Sequence, residues 1–148
     1  MKRTALATWH GGFRTGKGSI TIQDGRLSDV PFSYQSRFED QTALSPESLL
    51  AGAHAASFAM VFAKHLESSG LNAERIDTAA TVKVEEVEGL ETITRVELEL
   101  VVHTATSKHP QVHEAAIRAK VDCSISRLIN AKISLNVKIE NATHFSVA

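Results

Sequence analysis

Apolar and polar positions alternate with a period of two through most of this chain, and one long stretch breaks the rhythm. Thr4 to Trp9 alternates loosely, Gly11-Gly12 and Gly16-Lys17-Gly18 punctuate it, and Ser19 to Ile22 alternates cleanly. That order predicts strand, glycine-rich turn and strand. Asp24-Gly25 marks another turn, and Leu27 to Phe38 predicts one or two short strands around Pro31, completing an antiparallel meander. Ser45 to Gly70 is the exception. Ser45 is placed as a helix N-cap, with Pro46 and Glu47 in the first turn and a stop at Ser68-Ser69-Gly70. Between these signals Leu49 to Ala63 is apolar on nearly every face, so the helix needs cover on all sides. Two polar residues, His54 and Ser57, lie in that apolar middle.

Alternation resumes after the helix. Ile76 to Val87 predicts a strand, Glu88-Gly89 turns the chain, and Thr92 to His103 returns with Ile93, Val96, Leu98, Leu100 and Val102 on one face. A second helix begins near Pro110, with Val112, Ala115, Ala116, Ala119 and Lys120 at helical spacing. It breaks at Val121-Asp122-Cys123 and resumes from Ser124 to Ile129. Lys132 to Glu140 is a last strand with Ile133, Leu135, Val137 and Ile139 inward, and the tail after Asn141 has no strong pattern. Runs of strands interrupted by two helices predict an α+β fold, taken as one domain over residues 1–148. One modest sheet and one other helix leave the central helix short of cover, which a homodimer would supply.

Composition narrows the partners. With 148 residues, 43% hydrophobic, 22% charged and a net charge of −1, the chain has the balance of a soluble globular protein. Basic residues alternate with acidic ones and form no stripe for nucleic acid. Met1 to Leu6 lacks the apolar run of a secretory signal, and the central helix is interrupted by His54 and short between its charged flanks for a bilayer. A cytoplasmic protein without a membrane partner is expected. A single cysteine, Cys123, excludes an intrachain disulfide and cysteine-rich metal sites.

Several residues invite a chemical reading. Gly11 to Lys17 has phosphate-loop spacing, but Gly18 brings no hydroxyl for magnesium and a strand pattern follows where a helix N-terminus is needed. A hairpin turn is the better reading. His54 and Ser57 share a helix face, yet neighbours on one helix align poorly for proton transfer and no G-x-S-x-G elbow presents the serine. The bland alternatives are a hydroxyl turned back to the Ala53 carbonyl and a histidine satisfied at a helix-helix contact. His103, His109 and His113 cluster in sequence without a further ligand, which favours solvated histidines over metal. No metal or cofactor is expected. Cys123 falls at the start of the resumed helix, where a thiolate is favoured, and an inert buried thiol stays open beside that reading.

Taken together, Glu47, the helix segment A-H-A-A-S-F-A-M (Ala53 to Met60), S-R-F-E (Ser36 to Glu39), I-D-T-A-A (Ile76 to Ala80) and A-K-V-D-C-S-I-S (Ala119 to Ser126) resemble the OsmC/Ohr family of hydroperoxide-reducing proteins. The resemblance covers almost the whole chain and lies closer to the OsmC branch, because the arginine appears in R-F-E. It implies antiparallel sheets packed around two long central helices in an intertwined homodimer. It also implies thiol-dependent reduction of organic hydroperoxides, in oxidative or osmotic stress defence, with an external dithiol as reductant. By position, Cys123 matches the resolving cysteine, Arg37 the arginine that binds peroxide and lowers the thiolate pKa, and Glu47 the carboxylate that orients it. His54 is not among the family's chemical groups.

The departure is Ser57, which stands where the family has its peroxidatic cysteine. A serine hydroxyl is far less acidic than a thiol and has no useful counterpart to the sulfenic acid step. Two readings follow. The chain is a hydroperoxide reductase scaffold inactive as written, or a non-catalytic binder in which Arg37, Glu47 and Ser57 hold a polar head while Phe58 and Met60 accept an apolar tail.

Overall fold

The glycine-punctuated N-terminus folds as a three-stranded antiparallel sheet of β1 (Ala5–His10), β2 (Lys17–Ile22) and β3 (Val30–Ser33), in that order. The computed structural model describes residues 1–40 and 43–141, so the tail after Asn141 lies outside the described residues. The apparent phosphate loop is the β1–β2 turn, closed by a Gly16 N–H to Gly12 carbonyl hydrogen bond of 2.7 Å. Gly16 is required there, since a Cβ would sit 2.5 Å from the Gly12 and His10 carbonyl oxygens.

The stretch to Phe38 departs from its strand pattern. Only Val30–Ser33 is extended, and Tyr34–Phe38 forms a short helix, α1. Ser33 and Ser36 exchange side-chain to backbone hydrogen bonds of 2.8 and 3.2 Å in a capping box, which satisfies the first-turn donors and turns the chain. Residues 1–49 form one compact unit, in which every residue of β1 is exposed.

The predicted central helix is α2 (Pro46–Ser68). Ser45 and Ser48 exchange hydrogen bonds of 2.9 and 3.1 Å at its start, as the N-cap reading requires. At its end, Leu71 N–H reaches the Leu66 carbonyl and Gly70 N–H the Glu67 carbonyl, with Gly70 at φ +70°. That is a Schellman stop, and Leu66 and Leu71 both pack in the core beneath it. At 23 residues, α2 is long and apolar enough by length and composition to cross a membrane, contrary to the expectation that it is too short. Within this chain, however, one stripe of it (His54, Phe58, Phe62, Leu66) is core.

The unit from residue 50 onward holds a second three-stranded sheet of β4 (Arg75–Val87), β5 (Leu90–His103) and β6 (Lys132–Glu140). Glu88 and Gly89, at φ +52° and +77°, turn β4 into β5 as a tight hairpin. Val96, Leu98, Leu100 and Val102 of β5 are buried together, as their alternation predicts. Strand β6 joins β5 in parallel, so this sheet is mixed where antiparallel pairing alone was expected. The cause is the crossover through α3 (His109–Asp122) and α4 (Ser124–Leu128), which returns the chain to the end where β5 began. Val112, Ala115, Ala116 and Ala119 of α3 meet Phe58, Phe62 and Leu66 of α2 in the same core. Mixed helices and two sheets make the fold α+β.

Candidate functional site

Cys123 sits where α3 stops. Its backbone is extended (φ −60°, ψ 123°), which ends one helix and starts α4 from the same residue. The thiol is fully buried and meets the Ser57 hydroxyl of α2 at 3.3 Å, where a bland helix serine would turn back to the Ala53 carbonyl. The resemblance paired these two positions, 66 residues apart in sequence, and the fold brings them together. Burial pushes the Cys123 thiol up, but hydrogen bonding from the Ser57 hydroxyl, from the Ser126 backbone and hydroxyl and from the Ile125 backbone outweighs it, leaving the thiol below its ordinary value. Its two chain neighbours in the network, Ile125 and Ser126, lie in the first turn of α4.

His54 is the second buried polar group on α2. Its Nε2 lies 2.8 Å from Ser126 Oγ of α4, a helix-helix contact that satisfies one ring nitrogen while Nδ1 is buried without a partner, and burial holds its pKa below the ordinary imidazole value. Ser126, 8% exposed, is the residue that sequence reasoning missed. It stands three positions after Cys123, in the first turn of α4, and that spacing was the available signal.

Arg37 and Glu47 form a second pair, within the first unit. Arg37 Nη2 and Nε donate to the same carboxylate oxygen, Glu47 Oε1, at 2.7 and 3.0 Å. The guanidinium lies 5.0 Å over the Phe38 ring, Phe38 meets Tyr34 at 4.8 Å with the rings tilted by 51°, and Phe13 meets Tyr34 edge-on at 5.2 Å. The short helix α1, with its unforeseen capping box, is what carries Arg37 and turns it onto Glu47. Such an arginine, fixed on one side by carboxylate and on the other by an aromatic face, has a set orientation.

Two other expectations meet the geometry differently. Phe58, assigned to a ligand surface in the binder reading, is fully buried in the core and presents nothing, while Met60 is 75% exposed. His109 and His113 are exposed, and among the described residues no three His, Cys, Asp or Glu side chains come together to hold a metal. An open groove of about 590 Å³ runs between α2 and the β4–β5 hairpin, floored by Gly52, Ala55, Ala56 and Ala59. Small side chains on that helix face make the room.

A family profile described as OsmC-like protein matches residues 39–138. The peroxiredoxin OsmC of Escherichia coli (strain K12) is 30% identical over 141 residues, 95% of this chain and 99% of that protein. Among solved structures, an OsmC-like protein of unknown function from Vibrio cholerae superposes with a TM-score of 0.72 at 15% identity, over 93% of this chain and 99% of its own. The organic hydroperoxide resistance protein OhrB of Bacillus subtilis gives 0.64 at 24% identity, over 93% and 98%. These structural likenesses carry the fold.

Proposed function

The chain belongs to the OsmC-like protein family, and on that footing we propose that it is a thiol hydroperoxide reductase scaffold whose peroxidatic position is held by Ser57, so that it does not turn over peroxide as written. The observation that carries this reading is the 3.3 Å contact between Ser57 Oγ and the buried, acidified Cys123 thiol. A sulfur in place of that oxygen would stand against a second sulfur, which is what a peroxidatic and resolving pair needs.

In the active form the thiolate at position 57 attacks an organic hydroperoxide, the O–O bond breaks, and the alcohol leaves with a proton. The sulfur is oxidised to a sulfenic acid. Cys123 thiolate then attacks that sulfur, hydroxide departs as water, and a disulfide forms. An external dithiol reduces the disulfide. The family resemblance assigns peroxide binding and thiolate support to Arg37, whose guanidinium Glu47 fixes. The reading further takes residues 1–148 as one domain, a homodimer as the working form, the cytoplasm as its location and no cofactor.

Ser57→Cys tests it. With cumene hydroperoxide and dithiothreitol, the variant is expected to consume peroxide at least about tenfold above the unaltered chain, and Arg37→Met in that background to lose most of the gain. A folded Ser57→Cys dimer without turnover overturns the proposal.

The open groove beside α2 supports a second reading, the non-catalytic binder of an apolar or hydroperoxide-like ligand. It expects saturable binding of a fatty alcohol by the unaltered chain that Ala56→Trp, which fills the groove, abolishes. Unchanged affinity in that variant ends it.

A further inference from the structure

An open dent of about 330 Å³ lies where α3, α4 and the start of β6 meet, and it shares no lining residue with the groove beside α2. Its walls include Lys120 and Val121 from α3, Ser126 and Arg127 from α4, Ile129, and Ile133 from β6. Two cations therefore share one small hollow with three branched aliphatic side chains. The carboxylates of the surrounding elements do not neutralise them. Both carboxylates of α3 are engaged elsewhere, Glu114 by Arg118 at 2.6 Å and Asp122 by His65 of α2 at 2.9 Å. Helix α4 carries none. The one carboxylate of β6 is Glu140, at the far end of the strand, where Lys138 at 2.6 Å and His103 at 3.5 Å hold it. Among the described residues, the Lys120 and Arg127 side chains have no hydrogen-bond or ion-pair partner, although Lys120 is half-buried. Like charges gathered beside aliphatic walls make a hollow of positive potential, which a bound anion offsets.

We propose that this dent is a binding site for a small aliphatic carboxylate, with its charged end between Lys120 and Arg127 and its hydrocarbon against Val121, Ile129 and Ile133. The walls choose the anion. A fully hydrated ion such as phosphate would leave those three side chains facing water, whereas an aliphatic body covers them. The volume is at the lower end for ligand sites and limits that body to roughly six carbons. Lysine supplies a point charge and arginine a planar fork, so the two oxygens of one carboxylate suit them both. The site goes beyond the reductase reading and needs neither peroxide nor a second cysteine. Occupancy also has a consequence for the thiol. Lys120 lies before Cys123 and Arg127 after it, so the ligand bridges α3 and α4 across the break that Cys123 makes. Local opening of that break would expose the fully buried thiol, and binding opposes it.

Calorimetric titration of the unaltered chain with hexanoate tests the site. It is expected to saturate with a Kd of about 1 mM or tighter. Lys120→Met and Arg127→Met keep an aliphatic stem without the charge, and each is expected to weaken binding about tenfold. Hexanol lacks the charge and inorganic phosphate lacks the hydrocarbon, so each should bind at least about tenfold more weakly than hexanoate. Iodoacetamide, a neutral reagent, should alkylate Cys123 about tenfold more slowly with hexanoate at about ten times its Kd. Absence of saturable binding, or equal affinity in a folded Lys120→Met/Arg127→Met double variant, overturns the proposal. So does binding that Ala56→Trp abolishes and the double variant keeps, which would seat hexanoate in the groove beside α2. Hexanol or phosphate binding as tightly as hexanoate overturns the carboxylate assignment, and an unchanged alkylation rate takes the ligand off the junction of α3 and α4. Circular dichroism checks that the variants fold.

Discussion

Two faces of α2 have nearly the same apolar character and different fates. One carries His54, Phe58, Phe62 and Leu66 at intervals of four residues, all at most 2% exposed against β5 and α3. The other carries Gly52, Ala53, Ala56, Met60 and Ala63, all of them exposed, with Met60 at 75%. Hydropathy states that a surface should leave water; it does not state what covers it. The face with large side chains is buried by its own chain. The face with small ones is left for the second copy that we propose, where a low profile lets another backbone approach closely.

The comparison breaks most sharply at Phe62. Phe62→Ala opens a cavity among residues that cannot collapse into it, and is expected to cost about 3–5 kcal/mol and roughly 10 °C in melting temperature. Thermal unfolding checks it, and a loss under about 1 kcal/mol would mean that this face is not the core. Next in size is Met60→Glu. It places a charge on the open face and is expected to weaken self-association at least about tenfold in sedimentation, while the folded protomer keeps its circular dichroism. Unaltered association would move the contact between copies off this face. The smallest effect lies in pH. His54 is buried with a folded pKa below its unfolded value of about 6.5, so below that pH the unfolded chain binds more protons than the folded one. Stability contributed by His54 is present above about pH 6.5 and is lost as pH falls through the folded pKa. In denaturant titrations His54→Leu should flatten that slope below about pH 6.5, and an unchanged slope would assign it to other groups.

Much of the architecture could be read from local signals. The alternation of Val96, Leu98, Leu100 and Val102, the Ser45 cap, the Gly70 stop and the break at Cys123 are each written within a few residues, and the structure shows each in place. Three features could not be read that way. The Ser33-Ser36 capping box hides in a polar alternation that also fits a strand, because the same hydroxyls suit both until the backbone chooses. The parallel register of β6 depends on where a crossover lands, which no property of β6 encodes. His54 and Ser126 are 72 residues apart, so their pairing exists only after folding. At the site, the resemblance supplied the identities of Arg37, Glu47, Ser57 and Cys123. Periodicity supplied the placement of Ser57 in an apolar helix and of Cys123 at a helix start.

The parallel pairing of β5 with β6 has a kinetic consequence. β4 and β5 zip outward from Glu88-Gly89 as neighbours in sequence, a microsecond event in isolated hairpins. β6 has no such route: it registers on β5 only after α3 and α4 have been laid across, a non-local closure of the kind that slows folding. Cys123 lies in the middle of that closure. Its contact with Ser57 of α2, 66 residues away in sequence, is therefore expected among the last to assemble, leaving the chain's single thiol open to reagents until then. Resistance of Cys123 to a thiol reagent during refolding thus marks the final step of assembly, so the same residue that reports the chemistry also serves as the clock for the fold.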